Sequence, residues 1–356
     1  MTARWLSAAL SGDTPRSRLL AGLLLAVFVG LLLAPLLFPG TRALNVAARI
    51  CVFIVLAASY DLLLGYTGVV SFAHTMFFGI GAYGVGIAMF QYEADGLALL
   101  AGAAASLLLA LLLALLLGVL SLRVRTIFFA MMSLALASFF ATLASQFSAF
   151  TGGEDGLSFK LPALLSPATE FFGGPLLGVV WNGKLLTYYL VFFCSLALFL
   201  LALRVVNSPF GKVLQAIREN DFRAAAIGFN PVLYRTVANC LAALLACAAG
   251  ILYALWLRYV GPDTTLSFSI MIDILLMVVI GGMGSMYGAA LGAAVFVIAQ
   301  NYLQDGMKLL SGALEGAPLL ASLFHPDRWL LWLGVLFILS VYFFPSGIVG
   351  RLRGKP

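Results

Sequence analysis

PFGKVLQAIRENDFRAAAIGFNPVLY, residues 209 to 234, is the longest polar and basic interruption in this chain. Lys212, Arg218 and Arg223 lie within it, Arg204 precedes it, Arg235 follows it, and Glu219, Asn220 and Asp221 sit between the cations. Residues 215–218 and 221–227 read as helix, closed by Gly228 and then by Asn230-Pro231. On either side the sequence is apolar for roughly 20 residues at a time, the length that crosses a hydrocarbon core of ~30 Å. A short amphipathic helix between two such spans is a handle for something soluble.

Composition sets the class. Of 356 residues, 63% are hydrophobic and 10% charged, against about 25% charged in soluble domains. The alternating pattern of a transmembrane barrel is absent. The expectation is therefore all-α: a polytopic helical membrane protein of about 10 transmembrane helices. The net charge of +6 does not point to nucleic acid, because the cations sit beside span ends. Thirteen of the 20 Lys and Arg (Arg4, Arg16, Arg18, Arg123, Arg125, Arg204, Lys212, Arg218, Arg223, Arg235, Arg351, Arg353 and Lys355) fall on one side of the expected topology, which the positive-inside rule places in the cytoplasm with both termini.

The expected organisation is a tail over 1–18, a transmembrane domain over 19–345 and a tail over 346–356. The loop 207–235 lies inside, and polar loops 151–184 and 303–328 lie outside. Leu19 to Phe38 reads as an uncleaved anchor, since Phe38-Pro39-Gly40 is no cleavage site. Cys51, Cys194, Cys240 and Cys247 all fall in apolar runs without CxxC spacing. Seven residues of helix separate Cys240 from Cys247 by about 10 Å, beyond disulfide reach, so these read as core thiols.

Two glycine-rich regions break the apolar pattern. Gly65, Gly68, Ser71 and His74 interrupt it at membrane depth, and predict a broken or re-entrant segment near 65–75 of the kind that lines a cavity. Free amides at a half-helix start would hold the carboxylate of a zwitterion, which makes these four the candidates for a translocation pathway. The competing reading for His74, and for Asp61, Asp273 and Asn239, is an interface position or a single interhelical hydrogen bond. Gly284, Gly288 and Gly292 recur every four residues, a face on which helices pack closely.

Nucleotide chemistry has no footing. Gly79-x-Gly81-x-x-Gly84 mimics a dinucleotide fingerprint but lacks the preceding strand and the following acid. Gly178 to Lys184 mimics a P-loop, with Leu185 where Ser or Thr would bind magnesium. No carboxylate pair, Ser/His/Asp set or metal-ligand spacing stands out, so neither enzyme, cofactor nor metal is expected.

Four runs carry a resemblance. AIREND-x-x-AAAIG with the following N-P-x-x-Y-R (216–235) resembles the cytoplasmic coupling loop of ABC importer permeases. GYTGVVSFAHTMFFGIGAYG (65–84), GGEDG (152–156) and GGMGSMYGAALGA (281–293) are similar to runs of branched-chain amino acid permeases of the LivM type. The resemblance spans nearly the whole chain after the first span. It implies a permease subunit of a binding-protein-dependent importer in the bacterial inner membrane. The partners implied are two cytoplasmic ABC ATPase subunits, a second permease of the LivH type and a periplasmic substrate-binding protein, with membrane lipid around them and no nucleic acid. It also implies that Gln215, Ala216, Arg218, Glu219, Asn220, Ala224, Ala225 and Gly228 carry ATPase docking. Arg223 departs from the alanine of the general pattern, so individual partner contacts do not transfer. Urea or short-amide permeases share this scaffold. An ion-coupled secondary transporter would leave the polar helix without a role.

Overall fold

A computed structural model describes residues 17–37, 40–92, 95–121, 126–169, 181–313, 325–343 and 346–352. Residues 1–16 of the expected tail, Arg4 and Arg16 among them, therefore lie outside the described residues, as do Arg123, Arg125, Gly178, Arg353 and Lys355. In order come helices α1 (Arg18–Leu37), α2 (Thr41–Thr67), α3 (His74–Gln91), α4 (Gly96–Ser121), α5 (Thr126–Gln146) and α6 (Gly183–Asn207). There follow α7 (Pro209–Glu219), α8 (Asp221–Ala226), α9 (Pro231–Leu257), α10 (Phe268–Gly281), α11 (Met286–Ala313), α12 (Trp329–Phe343) and α13 (Gly347–Leu352).

Among the described residues, eight helical segments are long and apolar enough to cross a membrane. The chain is a multi-pass, all-α membrane protein. The two other expected spans are α3, with 18 residues, and α12, with 15. Several ends differ from expectation, for local reasons. Helix α7 starts at Pro209, six residues before the expected start, because proline at N1 gives up an N–H that had no partner there. Helix α11 continues to Ala313, well into the expected loop 303–328. Its end is tied back to the start of α2 by the Arg42–Asp305 ion pair (2.7 Å) and by Arg42 donating to the Asn301 carbonyl (2.7 Å).

The bundle is built around α2, α3 and α9, and α2 is buried along most of its length. Hydrophobicity alone does not associate helices in lipid, which is as apolar as leucine, so close packing has to. Here small residues let backbones touch. A Cβ on Gly81 of α3 would collide with the Cys247 carbonyl of α9, and one on Gly250 of α9 would collide with the Phe78 carbonyl of α3. Ala242, Ala243, Ala246 and Ala249 continue that face. Asn239 Nδ2 donates to the Ala114 carbonyl of α4 at 2.8 Å, so this deep amide is an interhelical bond. Asp273 likewise accepts from Gln300 Nε2 of α11 (3.3 Å).

The outer helices look different. Leu100, Leu108 and Leu112 of α4 are exposed, the surface of a chain solvated by lipid or by another membrane subunit. Cys194 of α6 joins that surface, so the expectation of four core thiols holds only for Cys51, Cys240 and Cys247. After α5 the GGEDG run forms a turn that lays Leu157 and Ser158 antiparallel to Val260 and Tyr259. Tyr259 Oη donates to the Asp155 carbonyl across it (3.0 Å).

Gly30 of α1 has no neighbour that a Cβ would touch, whereas Gly250 is in backbone contact. Gly250→Ala is expected to destabilise the protein by about 1–3 kcal/mol through overpacking. Gly30→Ala should be neutral or stabilising by up to about 1 kcal/mol through helix propensity. Unfolding of the two purified variants in mixed micelles with rising SDS checks this; equal effects would show that the α3–α9 approach is not tight.

Candidate functional site

The 209–234 stretch folds as two short helices between α6 and the start of α9, and each boundary has a residue-level cause. Asn220 ends α7 and caps α8, its Oδ1 accepting from the Arg223 N–H (2.9 Å). Gly228, at φ +97, stops α8 in the left-handed region, and the Phe229 N–H turns back to the Ala224 carbonyl (3.1 Å). Asn230 then caps α9 by accepting from the Leu233 N–H (3.3 Å), with Pro231 at N1. Asp221 pairs with Arg235 through two bonds of 2.8 and 2.9 Å, bracing α8 against α9.

The two faces of this element are distinct. Gly211, Leu214 and Ile217 are buried against the bundle. Of the expected docking set, Gln215, Ala216, Arg218, Glu219, Asn220, Ala225 and Gly228 are exposed. Ala224 is not: it is 1% exposed and packs inward. The surface also holds Phe222 (86% exposed) and Ile227 (68%), which the motif reading passed over. Their signal was available, as bulky apolar residues inside an otherwise polar loop.

Arg218 is exposed on this surface, yet its guanidinium reaches the end of a membrane helix. Its Nη1 donates to the carbonyl of Gly65, in the last turn of α2. One turn earlier on α2, Asp61 is fully buried, and its Oδ1 accepts the Gly284 N–H at 2.8 Å. Arg218 is also within Coulombic reach of that carboxylate. Gly284 belongs to the turn between α10 and α11 and sits at φ +81; a Cβ there would press on Arg218 Nη1 and the Gly65 carbonyl, both 3.1 Å away. Three runs remote in sequence, around residues 61–68, 218 and 281–285, therefore meet at one point.

This corrects the reading of Gly284, Gly288 and Gly292 as a single packing face. Helix α11 begins only at Met286, so Gly284 is a turn residue that presents its N–H to Asp61. Gly288 and Gly292 do pack: a Cβ on Gly288 would meet the Gly281 and Gly282 carbonyls, and one on Gly292 the Met277 carbonyl of α10.

The segment 65–75 is broken as expected. Helix α2 ends at Thr67, residues 68–73 are non-helical with Val69, Ser71 and Ala73 buried, and α3 starts at His74. The His74 ring meets Tyr60 edge-on at 5.0 Å, and Tyr60 lies about 10 Å up α2 from its end. Phe72 meets Phe268 at the opposite end of α10 from Gly281 (6.1 Å). The chain thus climbs back into the bundle before α3 begins. Ser133 of α5 accepts the Phe72 N–H (2.9 Å), and Ser71 accepts the Ala73 N–H (3.3 Å). Neither His74 nitrogen has a well-aligned partner, although the Ser59 backbone lies beside the ring. Of the four pathway candidates, Gly65 and Gly68 face Arg218, while Ser71 and His74 are enclosed in the core. It is the next residue, Thr75, that reaches a cavity.

Bundle, broken segment and the short polar helices α7 and α8 together define a multi-pass α-helical membrane protein. Residues 42–324 match the family described as branched-chain amino acid transport system / permease component, and the chain belongs to that family. It is 25% identical over 335 residues to the high-affinity branched-chain amino acid transport system permease protein LivM of Salmonella typhimurium, covering 90% of this chain and 76% of that one. To the protein of the same name from Escherichia coli it is 26% identical over 301 residues, covering 80% and 68%. To a probable branched-chain amino acid transport permease protein LivM of Methanocaldococcus jannaschii it is 31% identical over 163 residues, covering 45% of each chain. No solved structure matches it.

The meeting of Arg218 with Asp61 is open to a double-mutant cycle. Asp61→Asn keeps an acceptor for Gly284 while removing the charge, and Arg218→Gln removes the other charge. The coupling between them in SDS unfolding is expected at about 1 kcal/mol or more. Strictly additive effects would show that the two charges do not sense each other.

Proposed function

We propose that this chain is one of two permease subunits of a binding-protein-dependent importer that moves branched-chain amino acids across a bacterial inner membrane. ATP is hydrolysed by two separate ABC ATPase subunits on the cytoplasmic face, where α7, α8 and both termini lie. The partner permease is of the LivH type, and a periplasmic binding protein delivers the solute to the opposite face, at the loops around 151–184 and 303–328. The observation that carries this reading is the α7–α8 pair: an exposed surface of Phe222, Ile227 and Ala225 rimmed by charge, tied through Arg218 to the end of α2. A plain connector would need neither the apolar surface nor the Arg218 tie. Movement of the ATPases displaces α7, and Arg218 passes the displacement to α2 and to the α10–α11 turn, so that the bundle rocks between outward and inward access.

Labelled leucine uptake at low micromolar concentration, in cells with and without the gene, tests the substrate. Uptake that needs the gene, yields to valine and survives an uncoupler is the expected result. Uptake that is unchanged without the gene, or that yields to urea instead, overturns the amino-acid assignment; collapse with the uncoupler overturns ATP coupling.

The coupling surface is tested separately. Phe222→Ala should weaken ATPase docking by about 2 kcal/mol, roughly thirtyfold in affinity. Glu219→Lys and Gly228→Val should leave ATP hydrolysis running without uptake. Full transport by all three variants in proteoliposomes would remove this surface from the mechanism.

A further inference from the structure

A cavity of about 420 Å³ opens between α5, the first turn of α3 and the Pro262–Phe268 segment leading into α10, within the size range of small-molecule sites. Helix α5 contributes Leu134, Ser138, Ala141, Thr142 and Ser145, one face of the helix. From Leu134 to Gln146 the lining runs about 18 Å along the axis. Small and hydroxyl-bearing residues on one face of a span otherwise rich in leucine, methionine and phenylalanine mark a face turned to protein or a cavity, although Thr142 and Ser145 also donate back to the Ser138 and Ala141 carbonyls of their own helix.

The two ends of the groove differ in sign. At one end stand Glu154 and Asp263, both exposed and neither in a salt bridge with a described residue. At the other is Thr75, 2% exposed, whose hydroxyl has no hydrogen-bond partner among the described residues. Thr75 lies in the first turn of α3, which starts inside the bundle and which no side chain caps. The first N–H groups of a helix have no intrahelical acceptor, and the helix dipole makes that end positive. A buried, uncapped helix start, an unpartnered hydroxyl and a cavity thus coincide.

We propose that this groove is a station on the solute path and takes a free α-amino acid, carboxylate inward at Thr75 and the first turn of α3, ammonium turned toward Asp263 and Glu154. The proposal rests on the transport function proposed above and adds to it where the solute is held and in which orientation. The charges lie along the groove, so they orient a zwitterion's dipole rather than grip both of its ends at once. Leu266 and Phe268, with Leu134, supply apolar surface for a branched side chain. A simple anion would be repelled at the acidic mouth, and an uncharged amide would draw little from the field.

The test is thiol modification in right-side-out membrane vesicles carrying the assembled transporter, loaded with ATP and supplied outside with the periplasmic binding protein. Ser138→Cys, Thr142→Cys and, as the control turned away from the groove, Phe139→Cys are each made in a Cys194→Ser chain. The groove positions should react several-fold faster with a cationic than with an anionic methanethiosulfonate, and Phe139→Cys slowly with both. Asp263→Asn with Glu154→Gln should abolish the cationic preference, and saturating leucine should slow modification. Thr75→Val should raise the KM for leucine several-fold at unchanged subunit assembly. Modification of Thr142→Cys no faster than of Phe139→Cys overturns the path. Rapid modification indifferent to leucine, in vesicles that do take up leucine, overturns the amino-acid station. Vesicles that label as expected but transport no branched-chain amino acid overturn the transport function and leave the aqueous groove standing.

Discussion

A carboxylate fully buried at the end of a membrane helix must find its partners inside the protein, since no water is there to supply them. Asp61 finds the N–H of Gly284, the Ser285 backbone beside it and the charge of Arg218. Much else depends on this arrangement. Gly65 has to be glycine, because a Cβ would collide with both the Asp61 carboxylate and the Gly284 backbone. The α10–α11 turn has to enter the left-handed region to aim its N–H, and the polar helix outside has to lie close enough for Arg218 to reach in. A surface element, a helix end and a turn are thereby held as one body.

That body is joined to a bundle that is tight inside and loose outside. The inner helices approach through glycine and alanine until backbones touch, which gains dispersion energy over long contacts and leaves little freedom to deform. The outer helices present leucine and phenylalanine, and their packing is completed by whatever surrounds the chain. A tightly packed centre with an attached surface helix would move as a unit when pulled, as the proposed coupling requires. The broken segment between α2 and α3 contributes in another way: by climbing back into the bundle before helix resumes, it places a helix start, with its free amides, where a continuous helix would have none.

The residue pattern carried a good part of this. Long apolar runs required membrane helices, and the 209–234 interruption, with Asn220, Gly228 and Asn230-Pro231, marked where its two short helices begin and end. Gly65 and Gly68, with Ser71 and His74, announced the break that the structure shows. The same local logic failed where one residue type serves two purposes. Gly284 has the spacing of a packing glycine but the role of a turn, and Ala224 resembles its exposed neighbours yet faces inward. Thr75 carried no sequence signal at all, since a threonine after a histidine is unremarked until the cavity beside it is seen.

By itself, then, the chain determined its class, its apolar spans and the caps and breaks between them, because those follow from side-chain transfer energies and from dihedral preferences acting over a few residues. Only the tertiary structure decided that Asp61, Gly65, Arg218 and Gly284 share one site, and that α5 turns its hydroxyl face toward the first turn of α3. Those juxtapositions depend on contacts between segments more than 60 residues apart. Periodicity sets which face of a helix is apolar or polar, but which helix that face meets is settled by the packing of the whole bundle.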